Sequence, residues 1–108
     1  MKVDPRAPMS EADLDRAVRM LAETCGWERF HVWNSRHSAS GFPDLVLCRP
    51  PRLAFAELKS QNGKLTVDQQ RWLDFLRSVP SIEVYVWRPD DLDHIARILS
   101  PRHRDRPP

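Results

Sequence analysis

Gly41-Phe42-Pro43-Asp44-Leu45-Val46-Leu47-Cys48-Arg49 is followed, after Pro50-Pro51, by Leu53-Ala54-Phe55-Ala56-Glu57-Leu58-Lys59. Both stretches are apolar, aromatic or β-branched and only five to nine residues long, which predicts two strands, with Pro43 at the entry of the first, where a missing N–H is tolerable. A link centred on Pro50-Pro51 makes them an antiparallel hairpin. Its register pairs 49 with 52 and 47 with 54, and carries on to 44 with 57. Asp44 and Glu57 then face each other across the ladder, and Lys59 leaves the same side of the sheet as Glu57. Two facing carboxylates cannot both stay ionised cheaply, so the pair needs a counter-charge. Lys59 is one candidate. A hard divalent cation fits better, because Mg²⁺ takes oxygen ligands and is held by one or two carboxylates, with water and phosphate completing its shell.

Around this hairpin the rest of the chain falls into place. Upstream, Ser10-x-x-Asp13 is a capping-box pattern with Asp in place of Glu or Gln; Leu14, Ala17, Val18, Leu21, Ala22 and Cys25 follow at helical spacing, and Gly26 stops the helix. Residues 29–33 alternate as a further strand, and 34–41 (NSRHSASG) read as an exposed loop. Downstream, 60–65 (SQNGKL) is a turn. Thr66-x-x-Gln69 is a second capping box before an apolar helix face built from Val67, Trp72, Leu73, Phe75, Leu76 and Val79. Residues 82–87 form a fourth strand, and a last helix begins at Asp90 or Asp91 and ends before Pro101. The order is αβββαβα. Three closely linked strands form an antiparallel meander, and the intervening helix allows a parallel crossover to the fourth. The expected architecture is a mixed four-stranded α/β sheet flanked by helices, with residues 1–9 as a loose leader, 10–100 as one domain and 101–108 as a basic tail.

Composition narrows the function classes. At 108 residues with 41% hydrophobic and 30% charged side chains, the chain suits one globular domain rather than a disordered segment. The longest apolar stretches are about four residues, far short of the roughly 20 a membrane helix needs, and the N-terminus has no signal-peptide pattern. A cytoplasmic location is the expectation. Cys25 and Cys48 have no zinc-ligand spacing and read as core residues. The net charge is +2; residues 102–108 hold three Arg and one Asp, which leaves 14 basic and 14 acidic side chains on the rest. That balance does not announce a nucleic-acid binder. If the facing acids hold metal, however, one bound Mg²⁺ takes the neutral body to +2 and two take it to +4.

The GFPD and ELK motifs resemble the PD-(D/E)XK nuclease signature. The wider set SEADLDRAV, GFPDLVL, AELKSQNGKLTVDQQRWL and VYVWRPDDLDHI is similar to the virus-type replication-repair nuclease (VRR-NUC) family, in particular its small stand-alone phage and bacterial members. A second Pro-Asp pair, 89–90, has no ExK after it. The resemblance implies a restriction-endonuclease-like core and a Mg²⁺-dependent deoxyribonuclease, with Mn²⁺ as a substitute and neither zinc nor nucleotide. It makes Asp44 and Glu57 the metal-binding carboxylates, the Leu58 carbonyl a further ligand and Lys59 the catalytic lysine. Glu11 is placed as a metal ligand from the first helix, and Gln69 as a residue reaching the active site. Simpler readings stand beside these: an acid in a helix's first turn suits the macrodipole, and the capping box accounts for Gln69 by itself. Arg36 and His37, in the loop before Gly41, and Lys64, after ExK, are candidate phosphate contacts, with a solvated loop as the alternative. His31 reads as structural. Trp33, Trp72 and Trp87 read as core or interface residues. The implied substrate is branched DNA such as a Holliday junction, cut by a homodimer; a flap or single-strand-end nuclease and a non-catalytic DNA-binding module are the competing expectations.

Overall fold

The computed structural model describes residues 9–33 and 40–101. The leader before Met9, the centre of the 34–41 loop with Arg36 and His37, and the tail after Pro101 lie outside the described residues. The elements are α1 (Glu11–Thr24), β1 (Glu28–His31), β2 (Leu45–Arg49), β3 (Arg52–Leu58), α2 (Val67–Arg77), β4 (Glu83–Trp87) and α3 (Leu92–Leu99). The sheet order is β1-β2-β3-β4, the first three antiparallel and β4 parallel to β3. The expected mixed sheet and helix order are therefore present. The hairpin register is also as expected, with Arg49 opposite Arg52, Leu47 opposite Ala54 and Leu45 opposite Ala56.

Both capping boxes are made. Ser10 Oγ accepts from the amide of Asp13 while Asp13 returns a bond to the Ser10 amide, and Thr66 and Gln69 do the same for α2. α1 ends at Gly26, whose positive φ of 81° lets the Trp27 amide bond back to the Ala22 carbonyl. The core lies between the sheet and the α1/α3 layer: Leu14, Val18 and Ala22 of α1 and Ile95 and Leu99 of α3 bury Leu45, Leu47, Ala54, Ala56 and Leu58. Burial of this apolar area is the main stabilising term. α2 covers the opposite face, where Phe42 packs edge-on against Trp72 and Phe55.

Several boundaries and the burial of the two cysteines differ from the sequence reading. β2 begins at Leu45 rather than Phe42, because Pro43 has no N–H to give the ladder and the Asp44 side chain is used otherwise. β1 ends at His31, although the Val32 amide still reaches the Asp44 carbonyl at 2.7 Å. A 3-10 turn, Pro89–Asp91, precedes α3, so the second Pro-Asp pair is a helix entry. Cys25 and Cys48 are half-buried rather than fully in the core; Cys25 is the C-cap of α1 and packs against the core from its edge. Trp87 is in the core at 1% exposure, but Trp33 stands 79% exposed.

Candidate active site

The hairpin carries two acids to one end of the sheet. Asp44 is one position beyond the Leu45–Ala56 pair, opposite Glu57, and its Oδ2 accepts a 2.8 Å hydrogen bond from the Leu58 amide. On the other side of the ladder the Lys59 amide bonds to the Trp87 carbonyl at 3.0 Å, so β4 fixes the end of β3 from its second edge. The alternation of buried and half-buried residues along β3 stops here: Ala56, Glu57 and Leu58 are all buried, and Glu57 is 2% exposed.

A buried acid beside a second acid holds its proton. Loss of solvation, a hydrogen bond with the Asp44 carboxyl and the charge of Asp44 push Glu57 up to about 9; Lys59 opposes this and Glu11 adds to it. The structure thus reproduces, as an electrostatic cost, the need for a counter-charge that the hairpin register implied.

Gly41 sets the position of α2 over this end of the sheet. Its φ is +87°, and a Cβ there would lie 2.5 Å from the Asp68 carbonyl carbon and 2.7 Å from the Gln69 amide nitrogen. Only glycine lets the two backbones meet so closely. Ser40 Oγ bonds Asp68 at 2.8 Å, and the Phe42–Trp72 contact clamps the same junction. As a result Gln69 serves both roles its sequence position allowed: Oε1 accepts from the Thr66 amide at 2.9 Å as the cap, and Nε2 donates to Glu57 Oε1 at 3.4 Å.

Glu11, Ala12, Asp15, His31, Asp44, Glu57, Leu58, Lys59 and Gln69 line one cavity of about 480 Å³. Every acid, the lysine and the glutamine named from the sequence are gathered there. Lys64 is exposed in the turn after Lys59 and is not in the wall. Among the described residues no three His, Cys, Asp or Glu side chains stand close enough to hold one ion between them. The tight pair is Asp44 with Glu57, and Glu11 faces it from the first turn of α1. The three carboxylates offer oxygen donors, the kind a hard cation takes.

Three participants were missed from the sequence. Asp15, one helical turn after Glu11, shares the wall and is bonded to Arg29 of β1 at 2.5 Å. His31, structural by its sequence context, also lines the cavity, and its buried Nδ1 has no hydrogen-bond partner among the described residues. Arg88 ties down the turn after Lys59, with Nη1 donating to the carbonyls of Ser60 at 2.8 Å, Gln61 at 3.3 Å and Gly63 at 2.6 Å. The i, i+4 spacing of Glu11 and Asp15 was an available signal for the first of these. The other two depend on which strands become neighbours.

A model of the VRR-NUC domain matches residues 5–90. A solved structure described as a VRR_NUC domain superimposes with a TM-score of 0.67 at 22% identity, covering 81% of this chain and 94% of that one, a likeness of fold. No curated protein gives a significant match. With a nuclease-type domain model spanning most of its length and the ExK strand, the Pro-Asp entry and the glutamine helix meeting at one cavity, the chain belongs to the VRR-NUC family.

Proposed function

We propose that this protein is a Mg²⁺-dependent endonuclease that hydrolyses phosphodiester bonds in branched DNA. The observation that carries the reading is the buried Glu57 carboxyl paired with that of half-buried Asp44, in one cavity with Lys59. Such a pair is costly for a fold to keep, and it has a use once a cation replaces the shared proton.

Asp44 and Glu57, with the Leu58 carbonyl, would hold the ion, and Glu11 would complete its surroundings. When bound, the ion supplies a water of lowered pKa and neutralises the scissile phosphate. The chain's own residues do the rest. The Leu58 amide holds Asp44 in place, and Gln69 Nε2 fixes one oxygen of Glu57. Lys59 offers a positive donor to the attacking water or to the charge growing on the phosphate. The leaving oxygen is the 3′ one, so the products carry a 5′-phosphate.

Branched DNA is favoured over a base sequence because, among the described residues, no element is inserted between the strands that could enter a groove and read base edges. A homodimer would present two such cavities to a symmetric junction. Support for a second copy comes from the α2 side of the sheet, where Phe30 of edge strand β1 and Phe75 of α2 are 64% and 57% exposed.

The deciding experiment incubates the protein with a four-way junction, a flap, single-stranded DNA and plain duplex, in Mg²⁺ or EDTA, beside Lys59→Ala. Junction cleavage in Mg²⁺ alone, absent in the variant, is the expected result. No cleavage of any substrate would overturn the enzyme reading, and equal cleavage of junction and duplex would overturn the structural preference.

A further inference from the structure

The rim of the cavity carries an aromatic group that neither the fold nor the carboxylate chemistry uses. Trp33 is 79% exposed, the most exposed of the aromatic side chains among the described residues. It follows His31, the last residue of β1, by two positions. His31 touches it edge-on, with ring centroids 5.5 Å apart and planes inclined at 63°. His31 is itself part of the cavity wall, and its buried Nδ1 has no hydrogen-bond partner among the described residues. The indole is thus exposed to solvent and held in contact with a ring of the cavity wall.

We propose that Trp33 is a stacking platform for an unpaired nucleobase next to the phosphate held in the cavity, with His31 as the residue that positions it. The proposal rests on the nuclease reading and deepens it by naming a strand state. In a paired duplex the base faces are covered by their neighbours, whereas a base at a branch point or in a single strand has a free π-face for an indole. Stacking also suits a nearly neutral body, because it adds affinity without more phosphate neutralisation. A continuous apolar contact with a second protein is the competing occupant. The edge-on histidine linked to the catalytic cavity favours the base, since it joins the platform to the phosphate-binding wall.

The test uses the full chain in a Lys59→Ala background with Mg²⁺, so that DNA survives the measurement. Trp27 and Trp87 are buried and Trp72 is half-buried, so Trp33 dominates quenching by external groups. A ten-residue oligothymidylate is expected to quench the tryptophan fluorescence, and a blunt duplex of ten base pairs to quench it much less. Adding Trp33→Ala should remove the quench and weaken oligothymidylate binding by roughly 5- to 150-fold, the range of one stacked base. Trp33→Phe should stay within about threefold of the parent because it keeps a π-face. His31→Ala, which keeps the indole but removes the ring behind it, should weaken oligothymidylate binding by less than Trp33→Ala does and lower the quench amplitude at saturation.

Unchanged affinity in Trp33→Ala, equal quenching by duplex and oligothymidylate, or no DNA binding at all would each overturn the proposal. So would a Trp33→Ala protein that changes its sedimentation coefficient while the DNA affinity is kept, which would assign the indole to a protein contact. Quenching of the expected kind in a protein whose Lys59 form cleaves nothing would leave the platform standing and overturn the nuclease reading. Cleavage unaffected by Trp33→Ala would do the reverse.

Discussion

The Leu58 amide donates to Oδ2 of Asp44 at 2.8 Å, so the first acid of the site stands where a strand carbonyl would be. Asp44 is thereby part of the β2–β3 ladder and part of the cavity at once. A hydrogen bond from a neutral amide to a carboxylate is worth about 2 kcal/mol, and it fixes the carboxylate against its neighbour Glu57 rather than letting it turn to solvent.

Asp44→Asn separates these two functions. The asparagine carbonyl oxygen can still accept from Leu58, and the like charge beside Glu57 is removed. Cleavage is expected to fall at least 100-fold, while urea unfolding in EDTA shows stability equal to the wild type or higher by about 1 kcal/mol. Asp44→Ala, which leaves the Leu58 N–H without its partner, should instead lose about 1–3 kcal/mol. Equal destabilisation by the two variants would show that the Leu58 bond is not what holds the hairpin end.

Glu57 makes stability depend on pH in a definite direction. Its proton is held more tightly in the folded chain, up to about 9 against an ordinary 4.5, so this contribution is whole below pH 4.5 and declines as pH rises toward 9. The unfolding temperature in EDTA should therefore fall between pH 6 and pH 9, and Glu57→Gln should flatten that fall. Mg²⁺ should also flatten it, because the ion takes the proton's place, and its binding should release protons measurable by titration in buffers of different ionisation enthalpy. A wild-type profile no steeper than that of Glu57→Gln would contradict the shift.

At Gln69 the cap and the site can be pulled apart. Glu is an ordinary capping-box partner, so Gln69→Glu keeps the bond from the Thr66 amide but turns the donor aimed at Glu57 into a third carboxylate. Helix stability is expected to stay within about 0.5 kcal/mol, and cleavage to drop by roughly tenfold or more. Gln69→Ala should lose both, with about 1 kcal/mol of stability. Full activity in the Glu variant would return Gln69 to a purely capping role.

Arg88 is expected to act through the turn it holds. Arg88→Ala removes three bonds to the carbonyls of Ser60, Gln61 and Gly63, and should cost about 1.5–3 kcal/mol and lower kcat more than it raises KM. Arg88→Lys, a single rotating ammonium, should recover only part of either. Limited proteolysis between residues 59 and 64 gives an independent measure, since a loosened turn is cut sooner.

Much of this protein was legible along the chain because the relevant physics is local. Capping boxes span three residues, the two-proline link sets the hairpin register, and the alternation of a strand puts Glu57 and Lys59 on one side. From these alone follow the element order, the opposition of Asp44 and Glu57 and the alternative roles of Gln69. Tertiary structure decided what depends on which distant surfaces meet. The burial of Glu57 comes from the closing of β3 between its neighbours and α2, and Gly41 is required only because the start of α2 lies against it. Arg88 reaches back 25 to 28 residues to carbonyls that no periodicity marks. His31 and Trp33 look alike as parts of an aromatic strand; their places, one in the cavity wall and one at its rim, exist only once β1 is paired at the sheet edge beside α1. Local hydrogen bonding and periodicity are written in neighbouring residues, whereas burial and exposure belong to the packed whole.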